Sequence, residues 1–334
     1  MSDPVRTNRQ EGTPKSASRT AAPKELSEEP PPKASGEAQE RASGCLPEHA
    51  PDTAPEVVQM RPGRMPRSWR TETKPHPFCP GCGHGIILRA LGEAIDDLGI
   101  AARTVYGCDI GCSLLSWNLF NLDTVQTHHG RTIPVIVGIK RARPDLVGIA
   151  YMGDGGAYAI GAQHLVSAAI RNEKITVIVC NNTVYAMTGG QLAPTTLSGQ
   201  KTTTTPYGRD PLETGLPVSG PELVTCIRTE GVYAARGTVA NFRQLKLFIK
   251  RALENQMAGR GLSFVEALST CPTNWRTSPK ETWHFLEHEM GKAFKIGEFT
   301  REKAEGQERR EGRLSSPAEA GIPRGANEGA GANH

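Results

Sequence analysis

Up to residue 67 the chain has no aromatic side chain, and nowhere does it carry the ~20 consecutive apolar residues that a membrane-crossing helix needs. Pro, Ser, Glu, Lys and Arg dominate that first stretch. It cannot bury enough apolar surface to offset chain entropy, so residues 1–67 are expected to be disordered. The stretch also lacks the apolar core of a secretion signal, and its acidic residues argue against a transit peptide. The tail at 301–334, rich in Gly, Ala, Glu and Arg, is expected to be disordered too. What is left, 68–300, is the length of one domain with a real core. No basic stripe interleaved with aromatics occurs, and the net charge of +4 comes from near balance, 39 Lys and Arg against 35 Asp and Glu. Nucleic acid is therefore not an expected partner, nor is a membrane; a soluble, cytoplasmic protein is expected. The eight cysteines sit in a long chain without an export signal and include a tight C-x-x-C. That context favours metal or cluster ligation over disulfides.

The most informative stretch is residues 151–191. A strand at 147–151 runs into Gly153-Asp154-Gly155, a helix at 157–171 returns the chain, and a β-branched strand at 175–180 delivers Asn181-Asn182. In a right-handed βαβ unit both strand ends lie on one edge of a parallel sheet, so Asp154 and Asn182 should be neighbours. The glycines around Asp154 would let backbone approach a ligand. A carboxylate and an amide oxygen, joined by phosphate and water oxygens, form a hard-oxygen set suited to Mg²⁺, and the Val184 carbonyl is a further candidate ligand. Either half alone is a common turn or loop. A dinucleotide fingerprint fails because Tyr158 stands where the last glycine should be, and no Gly-Lys-Ser/Thr phosphate loop is present. GDG, a helix and then NN together form the pattern by which thiamine diphosphate enzymes hold their cofactor through Mg²⁺.

Around this unit the chain reads as alternating helices and strands with Gly and Pro breaks. A Pro/Gly segment at 74–85 opens a helix carrying Ile87, Leu88, Leu91, Ile95 and Leu98, closed by Gly99. A strand at 104–106, a helix at 133–142, a helix at 221–228, a strand at 232–236, a helix at 241–256 and a strand at 263–268 follow. Residues 184–220 read as a long Thr-, Gly- and Pro-rich loop, functional or partner-facing. The expected fold is α/β, a doubly wound, mostly parallel sheet.

In Cys79-Pro80-Gly81-Cys82-Gly83, two thiolates three apart suit one metal centre. Spacing leaves three readings open: a redox pair, a zinc site of Cys79, Cys82, Cys108 and Cys112, and an iron–sulfur cluster on Cys79, Cys82, Cys112 and a distant fourth ligand. Cys45 is expected to have no role, Cys180 to be core packing, and Cys226 to be structural.

Taken together, CPGCGHG at Cys79, IGCS at Ile110, HGR at His129, GDGG at Gly153, NNTVYAMTGGQLAPTT at Asn181 and CPTNW at Cys271 resemble the thiamine-binding beta subunit of the 2-oxoacid:ferredoxin oxidoreductases. The likeness spans roughly 75–275. It implies a [4Fe–4S] cluster on Cys79, Cys82, Cys112 and Cys271, with Cys108 a bystander. It implies thiamine diphosphate with Mg²⁺ on Asp154, Asn182 and Val184, in a site formed by Gly83, His84, Gly111, Cys112, Ser113, His129, Gly130, Gly153, Gly155, Gly156, Ala186, Met187 and Thr188. His84 and His129 are the candidates to touch the diphosphate or reacting centre, with Met187 and Thr188 near the substrate. The implied reaction is CoA-dependent oxidative decarboxylation of a 2-oxoacid, with electrons passed to ferredoxin. Such enzymes place a carboxylate against the aminopyrimidine from a separate domain, for which this chain has no room, so an alpha partner is expected. Pyruvate-specific relatives tend to have Asn at the place of Met187, which tilts the substrate to 2-oxoglutarate or branched-chain 2-oxoacids, 2-oxoglutarate slightly ahead. Two departures stand out: Asp109 replaces the first Gly of the family's GIGCS, and Gly156 replaces the last Asp of GDGD. A non-oxidative thiamine-dependent decarboxylase subunit, or a zinc-bound structural subunit, are the rival readings.

Overall fold

The strands at 104–108, 147–153, 176–181, 233–238 and 263–268 are short β-branched and small-residue runs buried on both faces almost throughout, and this dictates a sheet covered by helices on either side. The computed structural model describes residues 65–70 and 76–299, all within one unit. The strands are β1 (Thr104–Cys108), β2 (Asp123–Gln126), β3 (Val147–Gly153), β4 (Thr176–Asn181), β5 (Val184–Tyr185), β6 (Gln191–Leu192), β7 (Tyr233–Thr238), β8 (Ser263–Leu268) and β9 (Gly297–Glu298). Seven of them form one sheet in the order β2-β1-β3-β4-β8-β7-β9, in which only β9 runs antiparallel to its neighbour. β5 and β6 make a separate antiparallel hairpin. The doubly wound parallel sheet expected from the sequence is the observed one.

The helices are α1 (His84–Leu98), α2 (Thr132–Ala142), α3 (Ala162–Ile170), α4 (Pro211–Thr214), α5 (Gly220–Cys226), α6 (Phe242–Met257), α7 (Pro272–Trp275), α8 (Pro279–His284) and α9 (Gly291–Ala293). The alternation of the strands sorts side chains to two cores. Tyr106, Ile149, Tyr151, Ile178 and Val265 pack with α1 and α6, while Val105, Ala150, Met152, Val177 and Phe264 pack with α2, α3 and α5. α1 forms because Ile87, Leu88, Leu91 and Ile95 make one buried stripe. It stops at Gly99, whose φ of 63° is the left-handed cap conformation.

The chain winds from β1 outward to β2, then back across β1 to β3 and β4. The order therefore reverses between β1 and β3, and the crevice beyond their carboxyl ends is where such sheets bind ligands.

Several elements differ from expectation. β2 is an edge strand of mixed polarity with no apolar run to announce it. The expected helix at 157–171 is split: a π-helical turn, Gly156–Ile160, precedes α3. The segment read as a structureless loop at 184–220 contains the hairpin and α4, and is braced by buried Arg209. Its guanidinium donates to the carbonyls of Pro194, Thr196, Thr214, Gly215 and Leu216. Expected disorder at 1–67 and 301–334, and Cys45, lie outside the described residues except at 65–67. There Pro66 is buried, and the Arg67 amide donates to Asp96 on α1. Cys180 is core, as expected, but Cys226 is exposed.

Candidate functional site

At the reversal point the ends of β1, β3 and β4 and the turn into β5 form a cleft open to solvent. Of the residues expected to form a site, His84, Gly111, Cys112, Ser113, His129, Gly153, Asp154, Gly155, Gly156, Asn182, Val184, Ala186, Met187 and Thr188 line it. Gly83 and Gly130 do not. A Cβ on Gly83 would stand 2.3 Å from Ser269 Oγ, so this glycine serves the packing of two loops. Gly130 donates its amide to Asp109 Oδ1 at 2.7 Å. Ile110 and Tyr185 line the cleft without having been singled out from the sequence.

Asp154 and Asn182 come together from the tips of β3 and β4 as the βαβ argument requires. Both are buried and line the same cleft, and the Thr183 amide beside them donates to Asn181 Oδ1 at 3.2 Å. Asp154 Oδ1 accepts from the Gly155 amide at 2.8 Å, and Oδ2 accepts from Thr195 Oγ1 at 2.5 Å. Asn182 Oδ1 accepts from the Val184 amide at 3.3 Å. Burial pushes the Asp154 carboxyl up to about 7 despite those donors. Thr195 is a site residue that the sequence reading missed: one threonine of a Thr-rich stretch, 41 positions from its partner, gives no local signal.

The glycines serve different purposes from those expected. A Cβ at Gly153 would meet nothing within 4 Å, so backbone there is open to a ligand. At Gly155 a Cβ would lie 2.1 Å from the Tyr185 ring, and at Gly156 1.9 Å from Asp109 Oδ2. Packing, not ligand approach, demands those two.

The two histidines differ. His84 is buried, stacked on Phe78, with Nδ1 2.6 Å from the Tyr151 hydroxyl. Burial lowers its pKa to about 4, so it is a neutral imidazole at physiological pH. His129 is partly exposed, its Nδ1 3.0 Å from Asp109 Oδ2. Met187 is 46% exposed at the rim, and the Thr188 hydroxyl is engaged by Gln191 Oε1 at 2.7 Å.

Below the cleft, Cys79, Cys82, Cys112 and Cys271 converge from three separated segments. Burial pushes the Cys82 thiol up to about 12, and the neighbouring Cys271, Cys112 and Cys79 push it the same way. Cys112 is pushed up to about 11 by burial, again with Cys271 and Cys79 beside it. The segments are stitched together: Thr270 Oγ1 donates to the Gly81 carbonyl at 2.7 Å, and the Gly83 amide donates to the Thr270 carbonyl at 3.2 Å. Cys108 stands apart. It points to the Val125 carbonyl, and none of the other cysteines contributes to its shift. That removes one of the four ligands the zinc reading needed. Among the described residues no group of three or more His, Cys, Asp or Glu is arranged to hold a single metal ion.

The segment that carries Cys271 also braces the cleft. Asn274 Nδ2 donates to the Ala186 carbonyl and Trp275 Nε1 to the Asn182 carbonyl, both at 3.0 Å.

Comparison with known proteins agrees with this geometry. Residues 109–267 match the family model of the thiamine pyrophosphate enzyme, C-terminal TPP binding domain. The chain is 43% identical over 258 residues to the ketoisovalerate oxidoreductase subunit VorA of Methanothermobacter thermautotrophicus, covering 76% of this chain and 52% of that one. It is 39% identical over 238 residues to the 2-oxoglutarate synthase subunit KorB of the same organism, covering 69% and 79%. It thus spans about half the length of the VorA relative but most of KorB. A solved structure, 2-oxoglutarate:ferredoxin oxidoreductase from Magnetococcus marinus with 2-oxoglutarate, coenzyme A and succinyl-CoA bound, superposes with a TM-score of 0.59 at 25% identity. The match covers 76% of this chain and 90% of that one.

Proposed function

Because the chain belongs to the 2-oxoacid:ferredoxin oxidoreductase subunits that carry the thiamine-binding domain, we propose that it is the thiamine diphosphate-binding beta subunit of a CoA-dependent enzyme that decarboxylates a 2-oxoacid to an acyl-CoA and delivers the electrons to ferredoxin. One observation carries the reading: Asp154 and Asn182 meet at the point where the strand order reverses, with the thiols of Cys79, Cys82, Cys112 and Cys271 gathered below.

The donor set fits Mg²⁺ on a diphosphate. Asp154 is a buried carboxyl whose ionised form needs a cation, and Asn182 Oδ1 adds a hard oxygen. The Val184 carbonyl is the proposed third ligand. The four thiols suit a [4Fe–4S] cluster: they come together from three segments that the Thr270 and Gly83 hydrogen bonds hold in place. When bound, thiamine diphosphate supplies the chemistry of cleaving the bond beside a keto group, and the cluster accepts electrons singly.

The chain's own residues position and exclude. Gly153 leaves room for the diphosphate. Ile110, Val184, Tyr185, Ala186 and Met187 line the cleft and give the bound group a largely apolar surface to rest on. His84 holds a hydrogen bond to Tyr151 as an uncharged ring, and His129 offers a ring nitrogen to the bound group. No Glu lines the cleft among the described residues, in keeping with an alpha partner that supplies the carboxylate for the aminopyrimidine.

The proposed substrate is 2-oxoglutarate or a branched-chain 2-oxoacid, 2-oxoglutarate slightly ahead, with the alpha partner completing the substrate contacts. The test is the native complex, co-purified anaerobically and assayed with CoA and a viologen acceptor across a panel of 2-oxoacids. CoA-dependent viologen reduction, highest with 2-oxoglutarate or a branched-chain 2-oxoacid and low with pyruvate, is expected. CO₂ release without acceptor reduction would point to the non-oxidative decarboxylase instead.

A further inference from the structure

We propose that Asp109 is the positioning residue of His129, fixing which nitrogen of its imidazole meets the group bound in the cleft. This rests on the reading of the cleft as a cofactor and substrate site. Asp109 follows the end of β1, is fully buried, and is anchored through its own backbone: its amide donates to the Tyr151 carbonyl at 3.0 Å, and its carbonyl accepts from Ser113 Oγ at 3.2 Å. The two carboxylate oxygens divide their work. Oδ1 accepts from the Gly130 amide at 2.7 Å and from Thr132 Oγ1 at 3.3 Å, while Oδ2 faces His129 Nδ1 at 3.0 Å. An acceptor at Oδ2 requires the proton on Nδ1. Nε2 is then the nitrogen left to exchange a hydrogen bond or a proton with the bound group. No described residue engages Nε2 by a hydrogen bond, and the ring lines the cleft.

A second observation ties the pair to the site. A Cβ on Gly156 would stand 1.9 Å from Asp109 Oδ2 and 3.2 Å from His129 Cε1. While Asp109 holds its place, position 156 has to be glycine. The two departures from the family pattern, Asp109 for Gly and Gly156 for Asp, therefore meet at one point in space. One carboxylate is served from β1 in place of one on the GDG turn, and it orients the histidine of the HGR segment.

Asp109→Asn separates this role from simple packing. The amide keeps the carboxylate's shape, and its oxygen keeps the Gly130 amide and the Thr132 hydroxyl. Its NH₂ then faces Nδ1 and drives the ring proton to Nε2, the wrong tautomer. Nitrogen NMR of the full chain labelled at histidine, with the His129 signals identified by their loss in His129→Gln, reads the tautomer directly. Nδ1-protonated His129 is expected in the parent chain and Nε2-protonated His129 in the variant; the same tautomer in both overturns the proposal. In the native complex, Asp109→Asn and His129→Gln should each lower kcat by about 10²–10⁴-fold. The double variant should fall no further than His129→Gln, because Asp109 acts through that ring. Losses that multiply would assign Asp109 a separate structural role and overturn the proposal. Should Asp109→Asn fail to fold, Gly156→Ala displaces the carboxylate with Asp109 still in the sequence. It is expected to release the tautomer bias, and an unchanged tautomer there counts against the proposal. A tautomer switch in a chain whose complex turns over no 2-oxoacid would refute the proposed function and leave the Asp109–His129 assignment standing.

Discussion

Asp154 should be worth more to function than it costs in stability, and the size of that cost follows from its surroundings. It lies 3% exposed, and burial raises its carboxyl from the ordinary 3.8 to about 7 even though the Thr195 hydroxyl and the Gly155 amide donate to it. At about 1.4 kcal/mol per pH unit, the ionised form in the metal-free chain is disfavoured by about 4 kcal/mol. The sign follows from linkage. The folded pKa lies above the unfolded one, so the folded state holds the proton more tightly. The penalty is absent below about pH 4, grows as pH rises, and is complete above about pH 7. Asp154→Asn removes the charge and retains an acceptor for one amide, but leaves another donor short of a partner at a cost of about 1–2 kcal/mol. The metal-free variant should therefore be more stable than the parent by about 2 kcal/mol at pH 8. For a domain of this size that is about 4–8 °C in Tm. Near pH 4.5 the advantage should shrink to nothing or reverse. Denaturant titrations of both chains, in chelator, at the two pH values measure this. A variant that is less stable at pH 8, with the same pH dependence as the parent, would refute the reasoning.

Four further outcomes follow from the same geometry. Cys271→Ser should abolish the brown colour and visible absorbance of anaerobically purified protein, whereas Cys108→Ser should keep both, since Cys108 lies apart from the four converging thiols. Arg236 is fully buried, paired with Glu266 and Glu222, and covered by the rings of Phe294 and Phe299. Arg236→Ala should cost about 3–5 kcal/mol by denaturant titration, because it strands the Glu266 carboxylate that also receives Tyr158 and Asn181. Met187→Asn, at the rim of the cleft, should shift the kcat/KM ratio towards pyruvate and away from branched-chain substrates by about tenfold in a two-substrate assay. Arg209→Ala should open the 194–216 segment to limited proteolysis, since one guanidinium closes it through five carbonyls.

The parts of this molecule that the sequence announced are those whose physics is local. β3 and β4 carry uninterrupted apolar runs, and α1 carries a stripe closed by Gly99, so these elements are legible within a few residues of their observed ends. Handedness of the crossover then brought Asp154 beside Asn182 without further information. What stayed hidden depends on distant partners. β2 is a strand only because β1 offers it an edge, and its own residues show no alternation, exposed at both ends and half-buried in the middle. Thr195 reaches Asp154 from a segment that Arg209, 14 residues on, holds through the flanking Pro194 and Thr196 carbonyls. The glycines at 155 and 156 look like ligand-approach glycines in sequence, yet answer to Tyr185 and Asp109. The elements after residue 275 are short and were not anticipated: α8 has a capping box at Ser278 and Glu281, but the periodic apolar stripe that marks a helix is missing.

The most direct test of the central claim is the binding of thiamine diphosphate to the native complex after its own cofactor has been stripped, titrated calorimetrically with Mg²⁺ present and again in chelator. Saturable binding at one site per chain in Mg²⁺, abolished by chelator and by Asp154→Asn in a complex that remains assembled, is the result predicted. Binding of equal strength with and without the divalent cation, or in the variant, would contradict the account.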